Sequence, residues 1–191
     1  MRLSERQLRA RAKKIKLLLM DVDGVLTDGR IYYVPHPRGG VLETKTFHSR
    51  DGLGIRFARQ AGLKTGIISG RKSPIVQHRA RELRIDFVRE DALDKLPPYE
   101  EILRSAGVRD SEVCYVGDDW VDLPILRRVG LAVGVGNGSR LLRAHVHYWT
   151  QAPGGLGAVR ETIELILKAQ GKWRGILRSY LGGARALPLV G

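Results

Sequence analysis

Short apolar runs alternate with amphipathic stretches along most of this chain. Residues 15–20 are apolar except for Lys16, and such a run is typical of a parallel strand that is buried on both faces. Strands that alternate with helices indicate right-handed crossovers, so we predict a doubly wound α/β domain with a mainly parallel sheet. The same pattern predicts strands at 64–68, 85–88, 112–116, 131–135 and 147–149, and helices at 51–61, 73–83, 97–106, 121–129, 139–144 and 157–170.

The stretch between the first strand and the first long helix has a different pattern. Residues 29–34 and 41–47 predict two strands that flank the turn PHPRGG at 35–40. We therefore predict a β-hairpin insertion at about residues 29–47, in place of a large additional domain.

The positive charge of the chain is concentrated at its two ends. The formal net charge is +13, but residues 1–16 carry seven Lys or Arg and one Glu, and residues 168–191 carry five basic and no acidic side chains. The residues between these ends have a net charge of only +2. We interpret the ends as solvated tails, and we regard nucleic-acid binding through them as the weaker hypothesis.

These patterns divide the chain into three regions. A basic N-terminal arm at 1–14 has the composition of a short, highly charged helix, and residues 15–171 have the length of one compact domain. A basic C-terminal tail at 172–191 contains Gly and Pro breaks and no clear period. We expect this tail to be loose or to depend on a partner.

The single cysteine and the lengths of the apolar runs bear on the environment of the protein. Cys114 is the single cysteine, so no internal disulfide is possible, and its place in the apolar run VCYV favours a buried structural thiol. A reducing, cytoplasmic setting fits this composition. No run of about 18 apolar residues is present, so we expect no membrane span.

Polar signatures follow four of the predicted strands. Asp21 and Asp23 come directly after the first strand, Ser69 follows the second, Lys95 follows the third, and Asp118 follows the fourth. Ligands of open parallel sheets bind beyond the carboxyl ends of the strands, so we expect these side chains to meet in one crevice. The Asp-x-Asp pair alone would be weak evidence, because paired aspartates often occupy turns and helix caps.

These residue types suit phosphoryl transfer. One of two neighbouring carboxylates can attack while the other handles protons, and Asp21, Asp118 and a main-chain carbonyl form a hard oxygen site for Mg²⁺. Gly24 would let main-chain amides approach phosphate oxygens. Ser69 would supply a hydroxyl and Lys95 a positive charge to the transferring group.

The motifs in this order resemble those of the haloacid dehalogenase superfamily phosphatases. The resemblance rests on Asp-x-Asp-Gly-Val, Ser-Gly-Arg, Lys and Gly-Asp-Asp-x-x-Asp. The longer strings DVDGVLTDG, RDGLG, GDDWVDLP and GGLGAVRE are similar to the family of 3-deoxy-D-manno-octulosonate 8-phosphate (KDO 8-phosphate) phosphatases, over about residues 15–171. The resemblance implies a Rossmann-like fold with a short hairpin and no large cap domain.

The resemblance also implies catalytic roles. Asp21 would attack phosphorus and form an aspartyl-phosphate, and Asp23 would protonate the leaving sugar oxygen and then deprotonate the attacking water. Asp21, the main-chain carbonyl of Asp23, and Asp118 would bind Mg²⁺. Ser69, Lys95 and Gly24 would bind phosphate.

Three further residues each have two alternative assignments. Asp122 would support the metal shell or would simply be an acid in the first turn of a helix. Arg50 would lie near the sugar or a subunit boundary, or would belong to a turn. Arg71 would contact the substrate carboxylate or form a structural ion pair.

The resemblance implies a small phosphorylated sugar acid as substrate and a homotetramer whose hairpins close shared active sites. The product would feed lipopolysaccharide or a similar surface glycan. Two departures bear on this interpretation: the turn at 35–40 is longer than usual, and Leu156 stands where some members have a basic residue. A nine-carbon sugar acid phosphate is an alternative substrate. A scaffold or nucleic-acid-binding module is an alternative of another class.

Overall fold

The computed structural model describes residues 3–181, and its centre is a six-stranded sheet. Every neighbouring pair in this sheet is parallel. The strands are β1 (Leu17–Met20), β4 (Lys64–Ile68), β5 (Phe87–Arg89), β6 (Val113–Gly117), β7 (Leu131–Gly134) and β8 (Tyr148–Trp149), with β2 (Tyr32–Pro35) and β3 (Val41–Thr44) forming a separate antiparallel hairpin. The order across the sheet is β5-β4-β1-β6-β7-β8, which places β1 between β4 and β6.

Helices cover both faces of this sheet. They are α1 (Glu5–Ala12), α2 (Ser49–Gln60), α3 (Pro74–Leu83), α4 (Leu96–Ala106), α5 (Leu123–Leu126), α6 (Ala158–Ala169) and α7 (Trp173–Leu181). The core on one face includes residues of α1, α2, α3, α6 and α7, and the core on the other face includes residues of α4 and α5. The predicted doubly wound α/β fold is therefore confirmed.

The first strand shows why its sequence is apolar on both faces. Leu18 and Met20 belong to the core that α2 and α6 cover, whereas Leu17 and Leu19 belong to the core beneath α4 and α5. All four side chains are fully buried. A strand in the middle of a parallel sheet has no face in water, so the period-two alternation of a surface strand is lost.

The predicted hairpin is present, and it stands apart from the main sheet. Its turn closes with a hydrogen bond from the His36 N–H to the Gly40 carbonyl, and Gly39 and Gly40 take positive φ angles of 90° and 82°. Both strands leave apolar side chains in water: Tyr33 is 61% and Val41 is 66% exposed.

Two local predictions were wrong. Residues 121–129 do not form one helix, because a 3-10 turn at Trp120–Asp122 precedes the single-turn α5. The Asp122 carboxylate accepts the N–H groups of Asp118 and Asp119, and these hydrogen bonds hold the chain in the 3-10 turn before α5 begins. The loose segment expected from residue 172 onward is instead helical through Leu181, and residues 182–191 lie outside the described part of the chain.

Aromatic packing explains the terminal helix α7. The ring of Phe57 in α2 makes edge contacts with Trp173 at 5.8 Å and Tyr180 at 5.3 Å, and Ile176 is buried. These contacts with a distant helix stabilise α7, whose apolar residues recur at the i, i+3, i+4, i+7 spacing of an amphipathic helix. The N-terminal helix α1 is docked too, since Ala12 is buried and Arg11 Nη1 donates to the Gly130 carbonyl at 2.7 Å.

The longest of the described helices have 12 residues, whereas a bilayer span needs about 20. Within residues 3–181, none has both the length and the apolar character that a membrane span needs.

Candidate active site

Asp21 continues the line of β1 into the edge where the parallel strands end. Its N–H donates to the Val116 carbonyl at 3.0 Å, so the backbone is still paired with β6 at this point. The chain then turns, and Asp21 Oδ1 accepts the N–H of Val22 at 2.6 Å. Only 6% of Asp21 is exposed, which places a carboxylate in a nearly dry pocket at the carboxyl edge of the sheet.

Lys95 lies between two of the acidic side chains. Its Nζ is 2.8 Å from Asp21 Oδ2 and 2.8 Å from Asp122 Oδ1, and the lysine is 3% exposed. Burial opposes its charge, but the carboxylates of Asp122 and Asp21 outweigh that effect and raise the pKa of Lys95. The site therefore keeps a fixed ammonium beside Asp21.

Three carboxylates face this single ammonium. Oxygen atoms of Asp21, Asp118 and Asp122 lie within 4.8 Å of one another, and these residues are the only such group of potential metal ligands in residues 3–181. Burial and the charges of Asp21 and Asp122 raise the pKa of Asp118 to about 7. Burial and the charge of Asp122 raise the pKa of Asp21 to about 6, against the effect of Lys95. A divalent cation would relieve this repulsion.

The hydrogen bonds distinguish the candidate ligands from their supports. Asp122 Oδ1 accepts the Tyr115 hydroxyl at 2.7 Å as well as Lys95, and its Oδ2 accepts the N–H groups of Asp118 at 3.0 Å and Asp119 at 3.4 Å. Both oxygens of Asp122 are thus used inside the protein. Asp21 and Asp118 are the better candidates for direct coordination, and Asp122 holds the loop that carries Asp118.

The donor set suits Mg²⁺. Hard carboxylate oxygens in small number, with room for main-chain oxygen and water, are what this ion prefers. Among the hydrogen bonds of residues 3–181, none ends on the main-chain carbonyl of Asp23, which was the third expected ligand. The residues present therefore fit the ion that the sequence predicts.

Gly24 is required at its position for two reasons. Its φ of +89° lies in the left-handed region, and a Cβ at this residue would overlap the carboxylate of Asp118. The loop that precedes α6 packs on the same turn, because the Gly155 N–H donates to the Val25 carbonyl at 2.8 Å. The absence of a side chain therefore lets three loops converge beside Asp21.

Asp51 holds the loop that precedes α6 in place, a role that was not predicted from the sequence. It lies in the first turn of α2, is 1% exposed, and accepts the N–H groups of Gly157 at 3.1 Å and Arg160 at 2.8 Å. Asp51 thus caps the first turn of α6 from a neighbouring helix. Burial raises the pKa of Asp51, and these hydrogen bonds oppose that rise.

Ser69 lies at the same edge of the sheet, directly after β4. It is 2% exposed, and its Oγ accepts the Arg71 N–H at 3.2 Å. The Arg71 side chain extends to the hairpin, where Nη2 is 2.6 Å from Glu43 Oε2. Arg50 is exposed in the first turn of α2, and its main-chain N–H donates to His48 Nδ1 at 3.1 Å. Ser69 thus lies at the same edge of the sheet as the cluster of Asp21, Asp118 and Asp122, whereas Arg50 is at the surface.

Asp23 has a partner that the sequence analysis missed. Lys45 Nζ lies 2.6 Å from Asp23 Oδ1, and the Lys45 side chain is completely buried. Lys45 follows β3, and its immediate neighbours Thr44 and Thr46 are polar, so the local sequence does not indicate that this lysine is buried. Only the docking of the hairpin against the loop after β1 brings these two residues together.

A basic cavity at the opposite end of the strands has a structural explanation. It measures about 750 Å³ and is lined in part by Lys13, Lys16 and Lys172. Lys172 Nζ donates to the Ala61 carbonyl at the end of α2 at 2.7 Å, and Lys16 pairs with Glu112 at 2.6 Å. Cations at helix C-termini are expected there. The cluster of Asp21, Asp118 and Asp122, and not this cavity, is therefore the candidate site.

Comparisons with known proteins agree with this location. Residues 50–130 match the family model of the haloacid dehalogenase-like hydrolases. The chain is 41% identical over 163 residues to the 3-deoxy-D-manno-octulosonate 8-phosphate phosphatase KdsC of Escherichia coli K12. The match covers 85% of each chain.

Solved structures show the same similarity. The crystal structure of the KDO 8-phosphate phosphatase from Moraxella catarrhalis, in complex with magnesium, phosphate and KDO, has a TM-score of 0.86 and 40% identity, covering 92% of this chain and 98% of that one. The enzyme of the same name from Yersinia pestis has a TM-score of 0.84 and 41% identity, covering 88% and 89%.

Proposed function

Because this chain belongs to the haloacid dehalogenase-like hydrolases, and among them to the KDO 8-phosphate phosphatase family, we propose that it hydrolyses KDO 8-phosphate to KDO and inorganic phosphate. It is a phosphoric monoester hydrolase. The observation that carries the substrate proposal is the acidic group around Asp21, with Lys95 fixed beside it, in a chain 40% identical to a phosphatase crystallised with KDO and phosphate.

Asp21 is the proposed nucleophile. Its carboxylate oxygen forms a bond to phosphorus while the bond from phosphorus to the sugar oxygen breaks, which leaves an aspartyl-phosphate. Its pKa of about 6 leaves it mostly ionised near neutral pH, and the ammonium of Lys95 at 2.8 Å stabilises that form. Ser69 and Lys95 would hold the phosphoryl oxygens, and the turn at Gly24 would present main-chain amides.

Asp23 is the proposed acid and base. It would give a proton to the departing sugar oxygen, and as a carboxylate it would then take a proton from the water that attacks the aspartyl-phosphate. Inorganic phosphate leaves and the Asp21 carboxylate is regenerated. Asp23 suits this role because it lies two residues beyond Asp21, on the turn after the same strand.

Mg²⁺ is the proposed cofactor, held by Asp21, Asp118 and the main-chain carbonyl of Asp23. When bound, the ion would neutralise the repulsion between the anionic nucleophile and the anionic phosphate. Asp122 would keep Asp118 oriented through the hydrogen bonds to the N–H groups of Asp118 and Asp119. The magnesium in the Moraxella catarrhalis structure supports this choice of ion.

A homotetramer with shared active sites is the proposed assembly. The hairpin leaves several apolar side chains in water, among them Tyr33 at 61% and Leu42 at 50% exposed. Exposed apolar clusters of this kind are typical of protein interfaces. A second copy of the chain would cover them.

The cytoplasm is the proposed compartment, because the free thiol of Cys114 stays reduced there.

The test is phosphate release from a panel of sugar phosphates, with Mg²⁺ and with a chelator, for the wild type and Asp21→Asn. We expect hydrolysis that is selective for KDO 8-phosphate, requires Mg²⁺ and is lost in Asp21→Asn. Preference for a nine-carbon sugar acid phosphate would keep the mechanism and replace the substrate. If no panel member released phosphate in the presence of Mg²⁺, the proposed activity would be wrong.

A further inference from the structure

The lysine beside Asp23 is unusual in its burial. The Lys45 side chain has no exposed surface, although lysines are almost never fully buried unless they are paired. Its Nζ lies 2.6 Å from Asp23 Oδ1 and 3.5 Å from Glu43 Oε1. A buried ammonium persists only where carboxylates compensate its lost hydration, so the fold has placed these acids around it.

The contact continues into a row of alternating charges. Arg71 Nη2 lies 2.6 Å from Glu43 Oε2, so the order Arg71, Glu43, Lys45, Asp23 alternates between positive and negative groups. Burial opposes the charge of Glu43, but the hydrogen bond from Arg71 and the charge of Lys45 lower its pKa. The row ties the hairpin to the loop after β4 at one end and to the loop after β1 at the other.

We infer that Lys45 is a positioning residue for Asp23, an inference that rests on the acid and base role proposed above. An ammonium group only donates hydrogen bonds, so Asp23 Oδ1 must be the acceptor in this contact. The proton that Asp23 transfers is then carried by Oδ2. Lys45 thereby fixes the plane of the carboxylate and selects the oxygen that gives the proton to the sugar and later takes one from water.

This role predicts a dependence on the leaving group. The sugar alkoxide of KDO 8-phosphate must be protonated as it leaves, whereas p-nitrophenolate is stable without a proton. The kcat/KM value is the right measure, because it covers the steps up to leaving-group release and not the later hydrolysis. For Lys45→Met we expect kcat/KM to fall at least about tenfold with KDO 8-phosphate and less than about threefold with p-nitrophenyl phosphate.

The ratio of the two kcat/KM values does not depend on the fraction of enzyme that is folded, so a destabilised Lys45→Met variant is still informative. Lys64→Met is the matched control, because Lys64 is an exposed lysine at the start of β4, whereas the candidate site lies beyond the end of this strand. We expect its ratio to equal that of the wild type. Asp23→Asn serves as the reference for complete loss of the acid.

The outcomes separate this inference from the proposed function. Equal losses with both substrates in Lys45→Met, together with a selective loss in Asp23→Asn, would overturn the role of Lys45 and leave the role of Asp23 intact. A uniform loss in Asp23→Asn would overturn the acid role itself and this inference with it. A selective loss in both variants supports both.

Discussion

Lys95 Nζ donates to Asp122 Oδ1 across 2.8 Å, in a pair that is almost entirely removed from water. This ammonium is the one basic group found in contact with the carboxylates of Asp21 and Asp122 in the described part of the chain. The pair therefore links the stability of the site to its charge.

Replacement of Lys95 by Met should destabilise the protein, because it leaves buried carboxylates without their ammonium. We expect the free energy of unfolding in chelator to fall by about 3 kcal/mol, the usual cost of breaking a buried ion pair from one side. Mg²⁺ should recover part of this loss. Urea unfolding with and without Mg²⁺ measures both effects, and an unchanged urea midpoint in chelator would contradict the account of the site.

Removal of one proposed ligand should weaken the binding of Mg²⁺. For Asp118→Asn we expect the Mg²⁺ concentration that gives half-maximal activity to rise at least about tenfold, since even indirect support of a metal site is worth that much. Asp119→Asn is the matched control, because Asp119 is the adjacent, exposed aspartate. Similar Mg²⁺ requirements in the two variants would argue against Asp118 as a ligand.

The raised pKa values of Asp21 and Asp118 should make the stability of the metal-free protein depend on pH. The pKa values of Asp21, about 6, and Asp118, about 7, are raised by burial above the ordinary value of 3.8. The native state therefore binds more protons than the unfolded state between about pH 4 and 7, so these two groups lower stability as pH rises through that window.

Mg²⁺ requires the ionised carboxylates, so its stabilising effect should grow over the same range. We expect the increase in Tm caused by Mg²⁺ to be larger at pH 8 than at pH 5. Scanning calorimetry at both pH values, with chelator as the reference, makes the comparison. In Asp118→Asn the dependence of this increase on pH should be smaller, and an equal dependence would assign the effect to other groups.

Loss of Asp51 should loosen the loop that packs on Gly24. Asp51→Ala leaves the N–H groups of Gly157 and Arg160 without their acceptor, and we expect a loss of about 2 kcal/mol in the free energy of unfolding. The kcat value should also fall, because the loop lies against the turn after Asp21. A stability within about 0.5 kcal/mol of the wild type would show that water replaces the carboxylate.

The proposed assembly can be tested at the hairpin. A charge placed in an apolar interface is costly, so the double variant Tyr33→Glu, Val41→Glu should shift the protein from tetramer to smaller species in light scattering. Leu141→Glu, at a residue that is 55% exposed outside the hairpin, is the control and should leave the mass unchanged. A monomeric wild type would refute the proposed tetramer directly.

Local sequence determined much of this protein. The alternation of apolar strands and amphipathic helices predicts the fold, since burial on both faces leaves β1 no polar position. The ends of parallel strands share one edge, so spacing along the chain was enough to predict that Asp21, Ser69, Lys95 and Asp118 lie at one end of the sheet. That prediction required only that the strands be parallel, and it did not depend on any individual long-range contact.

Tertiary structure decided what local pattern cannot encode. Lys45 lies in a polar string typical of a surface, and its burial depends on Asp23, 22 residues away. Asp51 and the first turn of α6 are separated by more than 100 residues, and only the fold brings the aromatic side chains of α7 against Phe57. Each of these features depends on the desolvation of a polar group or ring by a distant element. A desolvation cost is set only when the whole chain has folded, so the sequence pattern around each residue does not identify the distant element that covers it.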